Sequence, residues 1–146
     1  MLNATFQAFG WPETSIAELD HWGVMLRPAQ PTLGALALVC KQPVTAFSDV
    51  DAAGFADLQK AIAGVEAMLR ATTGYEKINY LMLMMNDPDV HFHVIPRYEG
   101  RRSFAGEDFP DHGWPGPPAL GQAVKPKPET TAQLVALYRA RWQLPA

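Results

Sequence analysis

The run Asp89-Val90-His91-Phe92-His93-Val94-Ile95-Pro96-Arg97 places two of the chain's four histidines two residues apart among β-branched and aromatic residues. In a strand, positions i and i+2 face the same way. Asp89, His91 and His93 are therefore expected on one face, with Val90, Phe92 and Val94 on the other, toward a core. Imidazole suits nucleophilic and proton-transfer chemistry because its ordinary pKa, about 6.5, keeps both its neutral and charged forms accessible near neutral pH. A carboxylate beside it has two possible effects: raising the imidazole pKa, or accepting one ring N–H and so fixing the tautomer that presents the other nitrogen. Sequence leaves both open. Arg97, just past the run, is a candidate for a bidentate phosphate contact or for a structural ion pair. The trio Asp89, His91 and His93 also has the donor types of a zinc or iron site, although strict alternation along one strand is awkward for three ligands of one ion.

The rest of the chain must fold to hold that run. Its 146 residues are 48% hydrophobic and 18% charged, the balance of a folded globular chain, and that length fits one domain over 1–146. A net charge of −3 excludes the broad basic footprint of a general nucleic-acid binder, so any phosphate must be held locally. Cys40, the single cysteine, sits in the apolar run Leu36-Ala37-Leu38-Val39-Cys40 and reads as a small buried hydrophobe in a reducing compartment. Residues 1–10 lack the pattern of a secretory leader, and no apolar run approaches the roughly 18 residues of a membrane span. The expectation is a cytoplasmic protein with neither membrane nor nucleic acid as partner.

Strand patterns cover 15–19, 22–26 and 35–40, with Asp20-His21 between the first two and a Pro- and Gly-bearing turn before the third. Over 51–73 the period changes: Phe55, Leu58, Ile62, Val65 and Leu69 recur at helical spacing, with Asp51 as N-cap and Gly74 as stop. A further strand is predicted over 78–85, where Met82, Met84 and Met85 read as core packing, and Asn86-Asp87-Pro88 breaks the chain before the histidine run. Residues 100–128 form a Gly- and Pro-rich loop whose Phe104, Phe109, His112 and Trp114 would either cover a flat ligand or staple the loop down. A C-terminal helix is predicted over 130–142, with Leu134, Tyr138 and Trp142 on one face and Thr130 or Thr131 as cap. Together these elements predict an α+β fold, an antiparallel sheet with the long amphipathic helix packed across one face.

The run HFHVIPR, preceded by a strand, an amphipathic helix and the turn Pro31-Thr32-Leu33-Gly34, resembles the histidine triad (HIT) superfamily of nucleotide hydrolases and transferases, whose signature is three histidines alternating with apolar residues. The resemblance extends over roughly 19–98 and includes Pro43-Val44-Thr45 followed by Phe47-Ser48-Asp49-Val50. It implies that His91 matches the middle histidine, which attacks the α-phosphorus and forms a nucleotidyl-imidazole intermediate. His93 then matches the last histidine, lying against the phosphate as a donor to developing charge. Arg27 falls where relatives place a polar residue on the ribose, and Asn86 near a polar phosphate contact. The implied activity is cleavage of a phosphoanhydride or phosphoramidate at the α-phosphate of a purine nucleotide or dinucleoside polyphosphate, by a homodimer that needs no cofactor. Three departures stand out: Asp89 occupies the first histidine position, Ala35 stands where many relatives have another histidine, and the break at 86–88 is shorter than the usual loop. They motivate a second reading, a nucleotide-binding module without turnover.

Overall fold

In the computed structural model, which describes residues 2–144, five strands form one antiparallel sheet. They are β1 (Ser15–Glu18), β2 (Trp22–Leu26), β3 (Leu36–Cys40), β4 (Lys77–Leu81) and β5 (His91–Arg97), in the spatial order β1-β2-β3-β5-β4. Between β3 and β4 in the chain, helix α2 (Ala52–Thr72) crosses one face of the sheet, and α3 (Pro128–Arg141) packs beside it. A short helix, α1 (Ala4–Ala8), precedes the sheet, and a hairpin of β6 (Arg101–Phe104) and β7 (Glu107–Pro110) follows it. The expected α+β architecture, with the long helix across an antiparallel sheet, is what forms. No described helix is long and apolar enough to cross a membrane.

Helix α2 begins where its sequence says it should, because Asp51 Oδ1 accepts from Gly54 N at 2.8 Å and satisfies one of the orphan N–H groups of the first turn. It ends at Gly74, whose φ of +61° is a conformation that L side chains avoid. Leu58, Val65 and Leu69 are buried as the periodicity predicts, together with Ala61 and Met68. Phe55 departs from that stripe; it is 42% exposed and packs against Phe47, ring centroids 5.5 Å apart. Small residues set the closest approaches instead: Trp22 Nε1 donates to Gly54 O at 2.8 Å, and a Cβ on Gly64 would lie 2.6 Å from the Trp142 ring.

The sheet is buried on both faces. Under α2 and α3 lies the larger core, with Trp22, Val24, Leu36, Leu38, Val90 and Val94 among its members. Phe6, Phe9, Met25, Ala37 and Val39 form a second cluster on the opposite face. This second cluster exists because α1 folds back over the sheet: Asn3 Oδ1 caps the helix at Thr5 N (3.1 Å), while Asn3 Nδ2 donates to Cys40 O (2.9 Å) and ties it to the end of β3.

Several expectations are corrected here. The strand predicted over 78–85 stops at Leu81; Met84 has a φ of +45° and Met85 is 85% exposed, so of the three methionines only Met82 packs against the core. The connection must turn there to bring β5 alongside β4. Residues 100–128 are not all loop, since Ala105 and Gly106, with φ of +51° and +79°, form the two-residue turn of the β6–β7 hairpin. Phe109 is fully buried and Phe104 packs on the core, so these rings staple the segment rather than cover a ligand, and His112 is exposed. Helix α3 starts at Pro128, whose missing N–H costs nothing in the first turn. Thr130 is therefore an interior, buried residue of α3 and not its cap.

Gly23 on β2 leaves room for α1, because a Cβ there would lie 2.4 Å from Phe6 Cε1. Gly23→Ala is expected to lower stability by about 1–3 kcal/mol through displacement of the Phe6 ring. Urea unfolding checks it: the midpoint should fall with the slope unchanged.

Candidate active site

β5 is an interior strand, and its register dictates what faces the second cluster. Across the ladder His91 pairs with Val39 and His93 with both Ala37 and Leu81, while Ala37 pairs in turn with Met25 of β2. One step on, Arg27 N donates to Ala35 O at 3.0 Å. Arg27 thus stands past His93 in the direction away from His91.

The two imidazoles meet edge to face, with centroids 5.1 Å apart and an interplanar angle of 78°. Phe9, just past α1, packs against both rings at 5.8 and 5.7 Å. Both histidines and Arg27 line a cavity of about 260 Å³, closed further by Phe9, Leu120 and the loop from Leu83 to Asp87. The sequence-based pairing of His91 with His93 on one face is realised, and Asn86 reaches the same cavity.

Asp89 lies just before the strand and does not line the cavity; its carboxylate accepts from Thr5 Oγ1, on the helix α1 that covers this face, at 2.8 Å. What meets His91 is the main-chain carbonyl of Asp89, 2.6 Å from Nδ1. A carbonyl only accepts, so Nδ1 carries the proton and Nε2 of the neutral ring keeps its lone pair. The orienting role expected of the side chain belongs to the backbone.

A raised pKa, one of the two effects that the sequence left open, is not found at His93. Burial, with smaller pushes from the charges of Arg27 and His91, lowers it to about 4, so His93 is neutral at physiological pH. Its Nδ1 is buried without a hydrogen-bonding partner. Arg27 has the same character, its Nε and Nη1 being buried and unpartnered, and burial lowers its pKa without discharging it.

Arg97 lies outside this cavity. Its Nε and Nη2 grip Asp111 at 2.8 and 3.1 Å, and Nη1 donates to Asn79 Oδ1 at 2.8 Å, which is the structural ion pair and not a phosphate contact. The Asp89, His91, His93 metal site is likewise overturned, since the carboxylate is engaged by Thr5. Among the described residues no three His, Cys, Asp or Glu side chains converge to hold a metal ion. Phe9 and Thr5 are the site residues that sequence reading missed; Asn3, a favoured helix N-cap ahead of Ala4–Ala8, was the available signal for the helix that carries them.

No family model and no curated protein matches the chain. Solved structures do. A histidine triad protein from Sinorhizobium meliloti is 25% identical, with a TM-score of 0.75 over 97% of this chain and 96% of its own. Another, from Bradyrhizobium japonicum, is 21% identical, with a TM-score of 0.73 over 98% of each chain. A hypothetical histidine triad nucleotide-binding protein from Sulfolobus tokodaii is 17% identical, covering 88% of this chain and 82% of its own at a TM-score of 0.63. The first two likenesses run over nearly the whole chain, and the chain has the fold of these histidine triad proteins.

Proposed function

We propose that the protein binds a nucleotide and cleaves the bond between its α-phosphate and the leaving group by covalent transfer to His91. The observation that carries this reading is the contact between His91 Nδ1 and the Asp89 carbonyl, because in the neutral ring it places the proton on Nδ1 and the lone pair on Nε2, on a side chain that lines the cavity. In the first step the Nε2 lone pair attacks the α-phosphorus. A P–N bond forms as the bond to the leaving group breaks; the leaving group takes that electron pair and, where it needs one, a proton from solvent. Water then attacks the same phosphorus, the P–Nε2 electron pair returns to the ring, and the water's proton passes to solvent as the nucleoside monophosphate leaves.

His93, neutral in this cavity, donates one ring N–H to a phosphoryl oxygen as charge builds there. Arg27 and Asn86 are the substrate contacts; Arg97, each of whose nitrogens already donates to Asp111 or Asn79 and which lies outside the cavity, has no such part. The reading also carries a single HIT-like domain, a cytoplasmic setting and a homodimer; β4, an edge strand of the sheet, is a place where a second copy would pair.

A second reading, a nucleotide-binding module without turnover, is favoured by one observation. With the Asp89 carboxylate held by Thr5, the residue in the first histidine position offers no acid to a leaving group. One experiment separates the two. Incubation with a radiolabelled nucleotide substrate should give an acid-labile adduct on the unmodified protein that His91→Asn lacks, with turnover reduced at least about 10³-fold. Undiminished turnover in His91→Asn refutes the covalent reading; nucleotide affinity with neither adduct nor hydrolysis in the unmodified protein selects the second.

The state of His93 has its own test. Its ring takes a proton near pH 4 when folded and near 6.5 when unfolded, so between those values the unfolded chain binds more protons. Its contribution to stability is thus lost as pH falls from about 6.5 to about 4. The charged and titratable groups sharing its cavity are Arg27, His91 and Asp87. Ring-proton NMR should show a His93 midpoint near 4; a midpoint near 6.5 would mean that the ring is solvated and charged far more readily than this geometry allows.

A further inference from the structure

We infer that Arg27 forms an anion subsite on the far side of His93 from His91, so that the substrate carries a second phosphate besides the phosphoryl group that His91 attacks. The inference rests on the nucleotide reading above and adds the class of nucleotide.

The first argument is the contrast between two arginines. Arg97 has Asp111 and Asn79 on its donors, and is a finished structural pair. Arg27 has no carboxylate within ion-pair reach among the described residues, and its buried Nε and Nη1 have no acceptor. A guanidinium cannot shed its proton to escape this cost. Taking a charge out of water is unfavourable unless a partner supplies the opposite charge and the acceptors. The protein supplies neither, so a ligand that does gains what the fold has left unsatisfied.

Position is the second argument. Arg27 lines the same cavity as the two histidines, and the strand register sets it beyond His93. Ala35, just before β3, and Ala37 on β3, both buried between β2 and β5, put only methyl groups between Arg27 and the strand that carries His93. The charge of Arg27 is felt at His93. An oxyanion held by Arg27 is therefore adjacent to, and distinct from, the phosphoryl group placed on His91 and His93.

The third argument is polarity along the cavity. Its single acid is Asp87, in the loop that also brings Leu83, Met84 and Met85 to the wall. Leu83 and Met85 are exposed apolar side chains there. That loop repels an additional anion and suits an apolar or flat group, whereas Arg27 attracts the anion, so the two ends sort a bisphosphorylated ligand into one orientation. The shared chemistry is a phosphate dianion; it comes either from the leaving side of a phosphoanhydride or from a second position on the sugar.

Calorimetry on the unmodified protein tests this with three probes that are not turned over: adenosine monophosphate, α,β-methylene adenosine diphosphate, and adenosine 3′,5′-bisphosphate. At least one of the doubly phosphorylated ligands should bind about tenfold or more tighter than the monophosphate. The methylene analogue winning places the second phosphate on the leaving side; the 3′,5′-bisphosphate winning places it on the sugar. Arg27→Gln should remove most of that advantage, and Arg27→Lys should keep part of it. Equal affinity for all three probes, or an advantage untouched in Arg27→Gln, overturns the inference. Should Arg27→Gln not fold, the unmodified protein still decides, because the tighter probe should raise the His93 midpoint seen by NMR more than the monophosphate does, and an equal response to both counts against the subsite. These are binding readouts, so a failure of adduct formation on His91 leaves them intact and the two readings fail separately.

Discussion

Everything at the site depends on β5 being hydrogen-bonded along both edges while α2 covers one of its faces. With β3 on one side and β4 on the other, the strand cannot rotate or slip by a residue without moving Val94 out of the core and an imidazole into it. Burial of Val90 and Val94 under the helix therefore holds His91 and His93 on the opposite face. Their proximity is a consequence of core packing, and no contact between the rings is needed to produce it.

The opposite face would be an ordinary solvated sheet surface were it not for the N-terminal segment. Helix α1 has five residues, too short to persist alone, so its place depends on tertiary contacts: Asn3 to the end of β3, Phe6 beneath Gly23, and Thr5 to the Asp89 carboxylate. Asp89 consequently serves both partners at once. Its side chain anchors the segment that sets Phe9 against the imidazoles, and its carbonyl fixes the tautomer of His91. In the superfamily resemblance this is the first histidine position. A carboxylate there connects the strand to α1, a tie that links the position of the pocket wall to the ring of His91.

Much of this was legible in the sequence because it follows from periodicity. The alternation around His91 and His93, the 3.6-residue period and Asp51 cap of α2, and the strand pairs at 15–19 and 22–26 each report a local rule that the fold obeys. What failed depends on partners remote in sequence. Nothing local distinguishes Arg27 from Arg97; the difference is that Asp111, 14 residues from Arg97, and Asn79, 18 residues away, complete one and not the other. The Asp89 side chain meets Thr5, 84 residues away, and not an imidazole, a partner that no local pattern announces. Residues 101–110 look like loop by their charges and Gly106, although a turn of two residues with positive φ, Ala105 and Gly106, makes them a hairpin. Phe9 could not be found from chemistry at all, since an aromatic ring gains a role at the site only once α1 has folded over the sheet.

Two groups able to carry positive charge, Arg27 and His93, share a cavity walled by apolar side chains, and burial penalises the charge on each. The pair cannot resolve this symmetrically. Guanidinium keeps its proton at any physiological pH, whereas imidazole can give its proton up, so of this pair the charge stays on Arg27 and His93 is neutral. That division suits the two roles proposed for the site. A fixed charge would attract an anion without depending on pH, while a neutral ring beside His91 neither shares a proton with it nor adds positive charge to the buried pocket. The small side chains of Ala35 and Ala37, the lack of a protein carboxylate on Arg27 and the main-chain hold on His91 are three separate features of the sequence. Arg27, His93 and His91 thereby share one cavity.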